Sequence, residues 1–252
     1  MKTKLLLLVT TQRSGSTLLF DVLRSNQSIT VSHSWKNFRL LGADNARRRY
    51  PKDLTKENGF ESDHLEVNPN QYGYMENILL KEKCNPIYEL EKIHPHFINF
   101  SKASILNLLT TEVNLTVVVM TRKPSSSIQS FINYQERAHW YWGMSFSEIV
   151  KHFLRELSFL KHLEKIDGLK IYKTNYENYL NNFFEENLKI AQFLRVRWEN
   201  SHLSDLEKRL LRDHSTRGKF RTSTEQLKNI LKVNPYLKFK IRMLDAYYKY
   251  FF

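Results

Sequence analysis

One stretch decides the fold of this chain: Leu5-Leu6-Leu7-Leu8-Val9-Thr10-Thr11-Gln12-Arg13-Ser14-Gly15-Ser16-Thr17-Leu18-Leu19-Phe20. Its first five residues are apolar without polar alternation, which is typical of a central parallel strand covered on both faces. Small residues follow, and their backbone N–H groups can close around an anion at the positive end of a helix that begins near Thr17. Arg13 places a fixed positive charge at the mouth of this loop. The stretch indicates an α/β enzyme with a nucleotide co-substrate.

The loop differs from the usual nucleoside-triphosphate loop, which ends in Gly-Lys-Ser/Thr. No Gly-Lys precedes Ser16 or Thr17, and the basic residue stands in front of Gly15 instead. A short turn of this composition also begins many helices that bind no ligand, so a capped helix start is the alternative interpretation.

A second motif lies in the middle of the chain. Residues 115–121, Leu-Thr-Val-Val-Val-Met-Thr, are the strongest β-branched apolar run, and Arg122-Lys123-Pro124 follows them directly. Pro124 suits the first turn of a helix. Ser130 comes eight positions after Arg122, about two helical turns, so we expect its hydroxyl to face the end of the strand.

Together the two motifs resemble the donor site of sulfotransferases that use 3′-phosphoadenosine-5′-phosphosulfate (PAPS). The family's 5′-phosphosulfate loop reads Pro-(Lys/Arg)-Ser-Gly-Thr-Thr, and this chain departs from it by Gln12 for proline and Ser16 for threonine. Neither change removes a backbone donor. The family's 3′-phosphate site reads Arg-x-Pro followed by a serine, as Arg122, Pro124 and Ser130 do here. The alternative, that the arginine only caps a sheet edge, is much the weaker with both motifs in order.

Two later segments extend the resemblance to about Leu194. Residues 170–180 are a predicted strand followed by Tyr176-Glu177-Asn178, similar to the family's Tyr-Glu-Asp segment, whose tyrosine borders the nucleotide. Residues 185–194 have helical periodicity. Arg217, Gly218 and Lys219 resemble the basic loop that closes over the 3′-phosphate, although their order differs, and a solvated charged loop explains them equally well.

The resemblance implies a three-layer α/β/α fold with a mostly parallel central sheet, a P-loop-like sulfotransferase fold. It also implies transfer of a sulfuryl group from PAPS to a hydroxyl of an acceptor, without a metal, leaving 3′-phosphoadenosine-5′-phosphate (PAP). The implied donor-binding residues are Arg13, Ser14, Gly15, Ser16, Thr17, Arg122, Ser130, Tyr176, Arg217, Gly218 and Lys219.

Sulfuryl transfer needs a cation at the moving group and a base for the acceptor's proton. Arg13 is the first choice for the cation and Lys92 the second. Lys92 lies near the end of a predicted strand over residues 86–95, where alternation puts it on the same face as His94. Lys-Ile-His resembles the Lys-Thr-His of small-molecule sulfotransferases, whose histidine is the base, so His94 is preferred. His33, 20 positions after Arg13, competes, because protein-tyrosine sulfotransferases place a catalytic glutamate there.

Length and composition agree with one domain of 252 residues, with an acceptor-side insertion of loops and short helices at about residues 37–85. A net charge of +13 favours an anionic ligand or acceptor. Residues 236–252 predict a basic amphipathic helix that packs on the sheet, with a membrane or a partner as the alternative surface for it. The sequence does not determine the oligomeric state.

The single cysteine, Cys84, excludes an internal disulfide and is compatible with a reducing compartment. Residues 5–9 are too short to span a membrane, so we expect a cytoplasmic protein without stable membrane insertion. A native anchor missing from the sequence would leave the same pattern.

Other classes fit less well. No RNA-recognition, KH or zinc-knuckle signature supports a nucleic-acid partner. A nucleotide kinase needs a magnesium-binding carboxylate after a hydrophobic strand, where this chain has Arg122. A non-catalytic phosphate-binding module stays open, because the loop departs from the family pattern. The acceptor also stays open: a carbohydrate, a lipid, a small molecule or a peptide.

Overall fold

A computed structural model describes residues 4–31, 87–93, 114–135, 145–208, 232 and 234–251. The described strands are β1 Lys4–Thr10, β2 Ile29–Val31, β3 Tyr88–Ile93, β4 Leu115–Thr121 and β5 Lys170–Asn175. The described helices are α1 Ser16–Ser25, α2 Pro124–Gln135, α3 Phe146–Leu163, α4 Tyr176–Asn181, α5 Phe183–Leu194, α6 Asn200–Leu206 and α7 Pro235–Phe251.

The five strands form one sheet in the order β2-β3-β1-β4-β5, and every described pairing is parallel. β1 lies in the middle, with Leu8 paired to Val118 of β4 on one side and to Lys92 of β3 on the other. Parallel strands bring their carboxyl ends to one edge, where open α/β sheets bind their ligands. The chain segments that follow β1, β4 and β5 therefore emerge side by side, and the predicted α/β architecture is confirmed.

The interior of β1 is buried on both faces of the sheet. Leu6 and Leu8 belong to an apolar cluster with α1 and α5, and Leu7 and Val9, which alternate with them, are equally inaccessible to solvent. This burial explains the uninterrupted run of apolar residues, since a strand covered on one face only would alternate with polar residues.

A second apolar cluster joins α2, α3 and α7. Ile241 and Leu244 of α7 are buried there together with Ile128 of α2 and Phe153 of α3. The prediction that the C-terminal helix packs on the sheet was therefore wrong, because the apolar face of α7 is buried against α2 and α3. A hydrogen bond between the Tyr248 hydroxyl and Thr121 Oγ1, at 3.1 Å, joins α7 to the end of β4.

Some predictions differ from the structure only at the ends of elements. α1 begins at Ser16, one residue before the expected start, and β3 begins at Tyr88 instead of at residue 86. The predicted insertion at residues 37–85 lies outside the described residues, and the single-domain organisation stays a prediction. None of the described helices combines the length and the apolar character needed to cross a membrane.

Candidate active site

The loop after β1 turns sharply through two residues with left-handed backbone. Arg13 has φ 58° and Gly15 has φ 79°, and Gly15 caps the start of α1. The buried Ser14 hydroxyl donates to the Thr11 carbonyl oxygen at 2.7 Å, so it stabilises the turn from inside. The first N–H groups of a helix have no carbonyl partner within the helix, which leaves those of Ser16 and Thr17 suited to an anion.

Tyr176, the first residue of α4, lies directly against Gly15. A Cβ atom on Gly15 would overlap the ring of Tyr176. Glycine is thus required twice at this position, for its left-handed φ and for the close approach of the ring. The contact joins the loop after β1 to the segment after β5.

Arg122, directly after β4, connects these pieces. Its Nη1 donates to the carbonyl oxygen of Arg13 at 3.3 Å, and its guanidinium lies 4.5 Å from the centre of the Tyr176 ring. Its Nε is 3.7 Å from Oε1 of Glu177, a carboxylate that is 44% exposed. The aromatic face orients the guanidinium, while the exposed carboxylate beside it contributes little.

Ser130 completes the arrangement from α2. Arg13 Nε donates to Ser130 Oγ at 3.3 Å, across 117 positions of sequence. The two motifs found in the sequence therefore meet at one edge of the sheet, where Arg13 contacts both Ser130 of α2 and Arg122 after β4. Two arginines and a hydroxyl in this position suit a ligand with more than one negative charge.

The ring of Tyr176 stays neutral at ordinary pH. Burial raises the pKa of its hydroxyl, and the neighbouring charges of Arg122, Glu177 and Arg13 change it less. A neutral, partly buried aromatic ring beside two cations suits stacking rather than proton transfer.

Two carboxylates that the sequence analysis did not single out hold the backbone around these residues. Glu156 of α3 accepts a hydrogen bond from the Gln12 N–H at 3.0 Å. Asp245 of α7 accepts from the Ser125 N–H in the first turn of α2 at 2.9 Å, and lies 3.7 Å from Lys123 Nζ. The sequence does contain a sign of the role of Glu156, because this charged residue lies on the apolar, buried face of an amphipathic helix. Asp245 had none.

Of the remaining predicted site residues, the structure describes only the backbone of Lys92. Lys92 belongs to β3, which runs parallel to β1 on the side away from β4, so its backbone lies near the same edge of the sheet but across β1 from Arg122. His33, His94, Arg217, Gly218 and Lys219 lie outside the described residues. Within the described ranges, no group of three or more His, Cys, Asp or Glu side chains has the geometry of a metal site.

The family follows from the sequence match. A model of the sulfotransferase family matches residues 6–200, which include both sequence motifs and the strands that carry them, and the chain belongs to this family. No curated protein matches the chain.

Solved structures of sulfotransferases and related enzymes are similar at low identity. A sulfotransferase domain from the curacin biosynthetic pathway is 15% identical, with 79% of this chain and 76% of that domain covered and a TM-score of 0.49. Retinol dehydratase in complex with androsterone and PAP is 16% identical over 82% of this chain and 65% of that chain, with a TM-score of 0.43. A mouse sulfotransferase complexed with PAP is 12% identical over 82% and 63%, with a TM-score of 0.47. The chain thus spans less than two thirds of the last two proteins.

Proposed function

We propose that the chain is a PAPS-dependent sulfotransferase that moves the sulfuryl group of PAPS to a hydroxyl of an acceptor. The observation that carries the proposal is the meeting of Arg13, Ser130 and Arg122 at the carboxyl edge of the sheet. The donor has a 5′-phosphosulfate and a 3′-phosphate, so it needs two anion sites close together. A nucleotide with phosphates in a single chain needs only one.

The residues present fit this donor. In the proposal, the N–H groups at the start of α1, with residues 14–17, hold the 5′-phosphate, and Arg122 and Ser130 hold the 3′-phosphate. Tyr176 borders the nucleotide, and Arg217, Gly218 and Lys219 close over the 3′-phosphate. Because Gly15 has no side chain, the loop approaches the Tyr176 ring closely, which supports a nucleotide site that joins the loop to α4.

The reaction is an in-line displacement. The acceptor oxygen forms a bond to sulfur while the bond between sulfur and the 5′-phosphate oxygen breaks, and PAP leaves with the electron pair. Arg13 or Lys92 offsets the charge on the moving group. His94 or His33 takes the acceptor's proton, since an imidazole titrates close to neutral pH.

The acceptor is a hydroxyl-bearing carbohydrate, lipid, small molecule or peptide, and we place the reaction in the cytoplasm. The basic character of the chain, +13 overall, favours acceptors that already carry negative charge. The proposal includes neither a nucleic-acid partner nor a membrane-inserted segment.

Transfer of a radiolabelled sulfuryl group from PAPS to a panel of such acceptors tests the proposal. Wild-type protein should label at least one acceptor, and His94→Ala or His33→Ala should reduce the rate by about 10²-fold or more if that residue is the base. His162→Ala is the matched control, because His162 is exposed on α3 and should leave the rate unchanged. PAP binding without any transfer would favour a non-catalytic phosphate-binding module instead.

A further inference from the structure

We propose that Glu156, a buried carboxylate on α3 that accepts a hydrogen bond from the Gln12 N–H, positions the anion loop for donor binding. This inference rests on the proposed function. It assigns Glu156 a role that neither the motifs nor the family match indicates.

The geometry places Glu156 directly behind the loop. Its side chain is 1% exposed, and its Oε2 accepts the N–H of Gln12 at 3.0 Å. The preceding N–H, that of Thr11, donates to the Met120 carbonyl oxygen of β4 at 3.3 Å. Two consecutive N–H groups are thus held before the chain enters the left-handed turn at Arg13. The first is held by the sheet and the second by Glu156.

The need for an acceptor comes from the residue at position 12. A proline there, as in the sulfotransferase loop pattern, has no N–H and requires no acceptor. Gln12 introduces an N–H next to a buried carboxylate, and a buried donor left without a partner is costly. The acceptor, Glu156, is 144 positions away from Gln12 in the sequence, so only the tertiary fold brings α3 against the loop.

The charge of Glu156 does not explain its presence. A negative charge behind an anion loop repels the ligand, so charge alone gives no reason for a carboxylate at this place. His152 Nε2 lies 3.4 Å from the second carboxylate oxygen, Glu156 Oε1. If the length of the Glu156 side chain matters and its charge does not, an uncharged side chain of the same length with an acceptor oxygen should replace it. If its charge matters, a shorter side chain that keeps the carboxylate should replace it.

Two substitutions separate reach from charge. Glu156→Gln keeps the length and an acceptor oxygen but loses the charge. Glu156→Asp keeps the charge but withdraws it by one methylene, out of range of the Gln12 N–H. Glu186→Asp is the matched control, because Glu186 is a buried carboxylate that bonds to Thr174 and Tyr172 on β5 and does not contact the loop.

Calorimetric titration with PAP, together with the melting temperature of each variant, tests the inference. We expect Glu156→Asp to weaken PAP binding by about tenfold or more, the effect of losing a charge-assisted hydrogen bond. Glu156→Gln should stay within about threefold of wild type, because a neutral hydrogen bond to the Gln12 N–H remains and the repulsion between the carboxylate and the anionic ligand is removed. Glu186→Asp should lower the melting temperature and leave PAP affinity unchanged, which separates loop positioning from general stability.

The outcomes are distinct. Equal affinities for Glu156→Asp and wild type would overturn the inference, and so would a loss in Glu156→Gln as large as that in Glu156→Asp. If wild-type protein itself binds no PAP, the proposed function fails and takes the inference with it. If wild type binds PAP and only the Glu156 variants behave otherwise than expected, the inference alone fails.

Discussion

Replacing Gly15 by alanine should damage the protein more than the same change at another left-handed glycine. The new Cβ meets two obstacles, the backbone φ of 79° and the ring of Tyr176. The left-handed backbone costs about 1–2 kcal/mol for a residue with a Cβ. Forcing the ring aside adds about 1–3 kcal/mol, as overpacking does elsewhere. It also disturbs the stack of Tyr176 on Arg122, so donor binding should fall as well.

Gly168 provides the matched control, because it has the same φ of 79° with no atom within 4 Å of the position its Cβ would take. Gly168→Ala therefore bears the backbone cost alone. The difference between the two variants isolates the contact with Tyr176, and we expect it to be about 2 kcal/mol. For a chain of this size that difference is about 4–8 °C in melting temperature.

Thermal unfolding of both variants, in the wild-type and Tyr176→Ala backgrounds, measures this contact by a double-mutant cycle. With the ring removed, Gly15→Ala should cost no more than Gly168→Ala. PAP titration should show a loss of affinity for Gly15→Ala and none for Gly168→Ala. Equal losses of stability at the two glycines, or no relief from Tyr176→Ala, would refute the placement of Tyr176 against the loop.

Three further expectations follow from the same contacts. Ser130→Ala removes one hydroxyl beside Arg13 and should weaken PAP binding by about three- to tenfold, with an unchanged melting temperature, in calorimetric and thermal measurements. Glu177→Gln removes a competing carboxylate from Arg122 and should tighten PAP binding by up to about fivefold; weaker binding would contradict the competition. Burial raises the pKa of Tyr248 to about 12, so its contribution to stability is present below the ordinary value of 10.0 and is lost as the pH rises from there toward 12. Tyr248→Phe should make the melting temperature fall less steeply than wild type over that interval, and identical pH profiles would contradict the burial argument.

The sequence was enough to predict the parts of the site that depend on local pattern. An apolar run predicts the buried strand β1, the small-residue turn after it predicts the start of α1, and Pro124 after Arg122 predicts the start of α2. Each of these depends on residues within about two helical turns of one another. The structure places Arg122 at the end of β4 and brings Ser130 to Arg13.

The supporting carboxylates could not be predicted in the same way. Glu156 and Asp245 reach their N–H partners from 144 and 120 positions away, and no local periodicity encodes such pairs. A buried glutamate on an apolar stripe signals that some partner exists, but only the tertiary fold identifies Gln12. The packing of α7 was mispredicted for the same reason, since an amphipathic stripe specifies an apolar surface and not which element provides it.

The central claim is a donor site with separate positions for a 5′-phosphate and a 3′-phosphate, and calorimetric titration with PAP and with ATP tests it most directly. Wild-type protein should bind PAP tightly and ATP weakly. Arg122→Ala should abolish the preference for PAP, whereas Arg155→Ala, an exposed arginine on α3, should preserve it. No binding of PAP, or a preference for ATP with magnesium that Arg122→Ala leaves intact, would contradict the account.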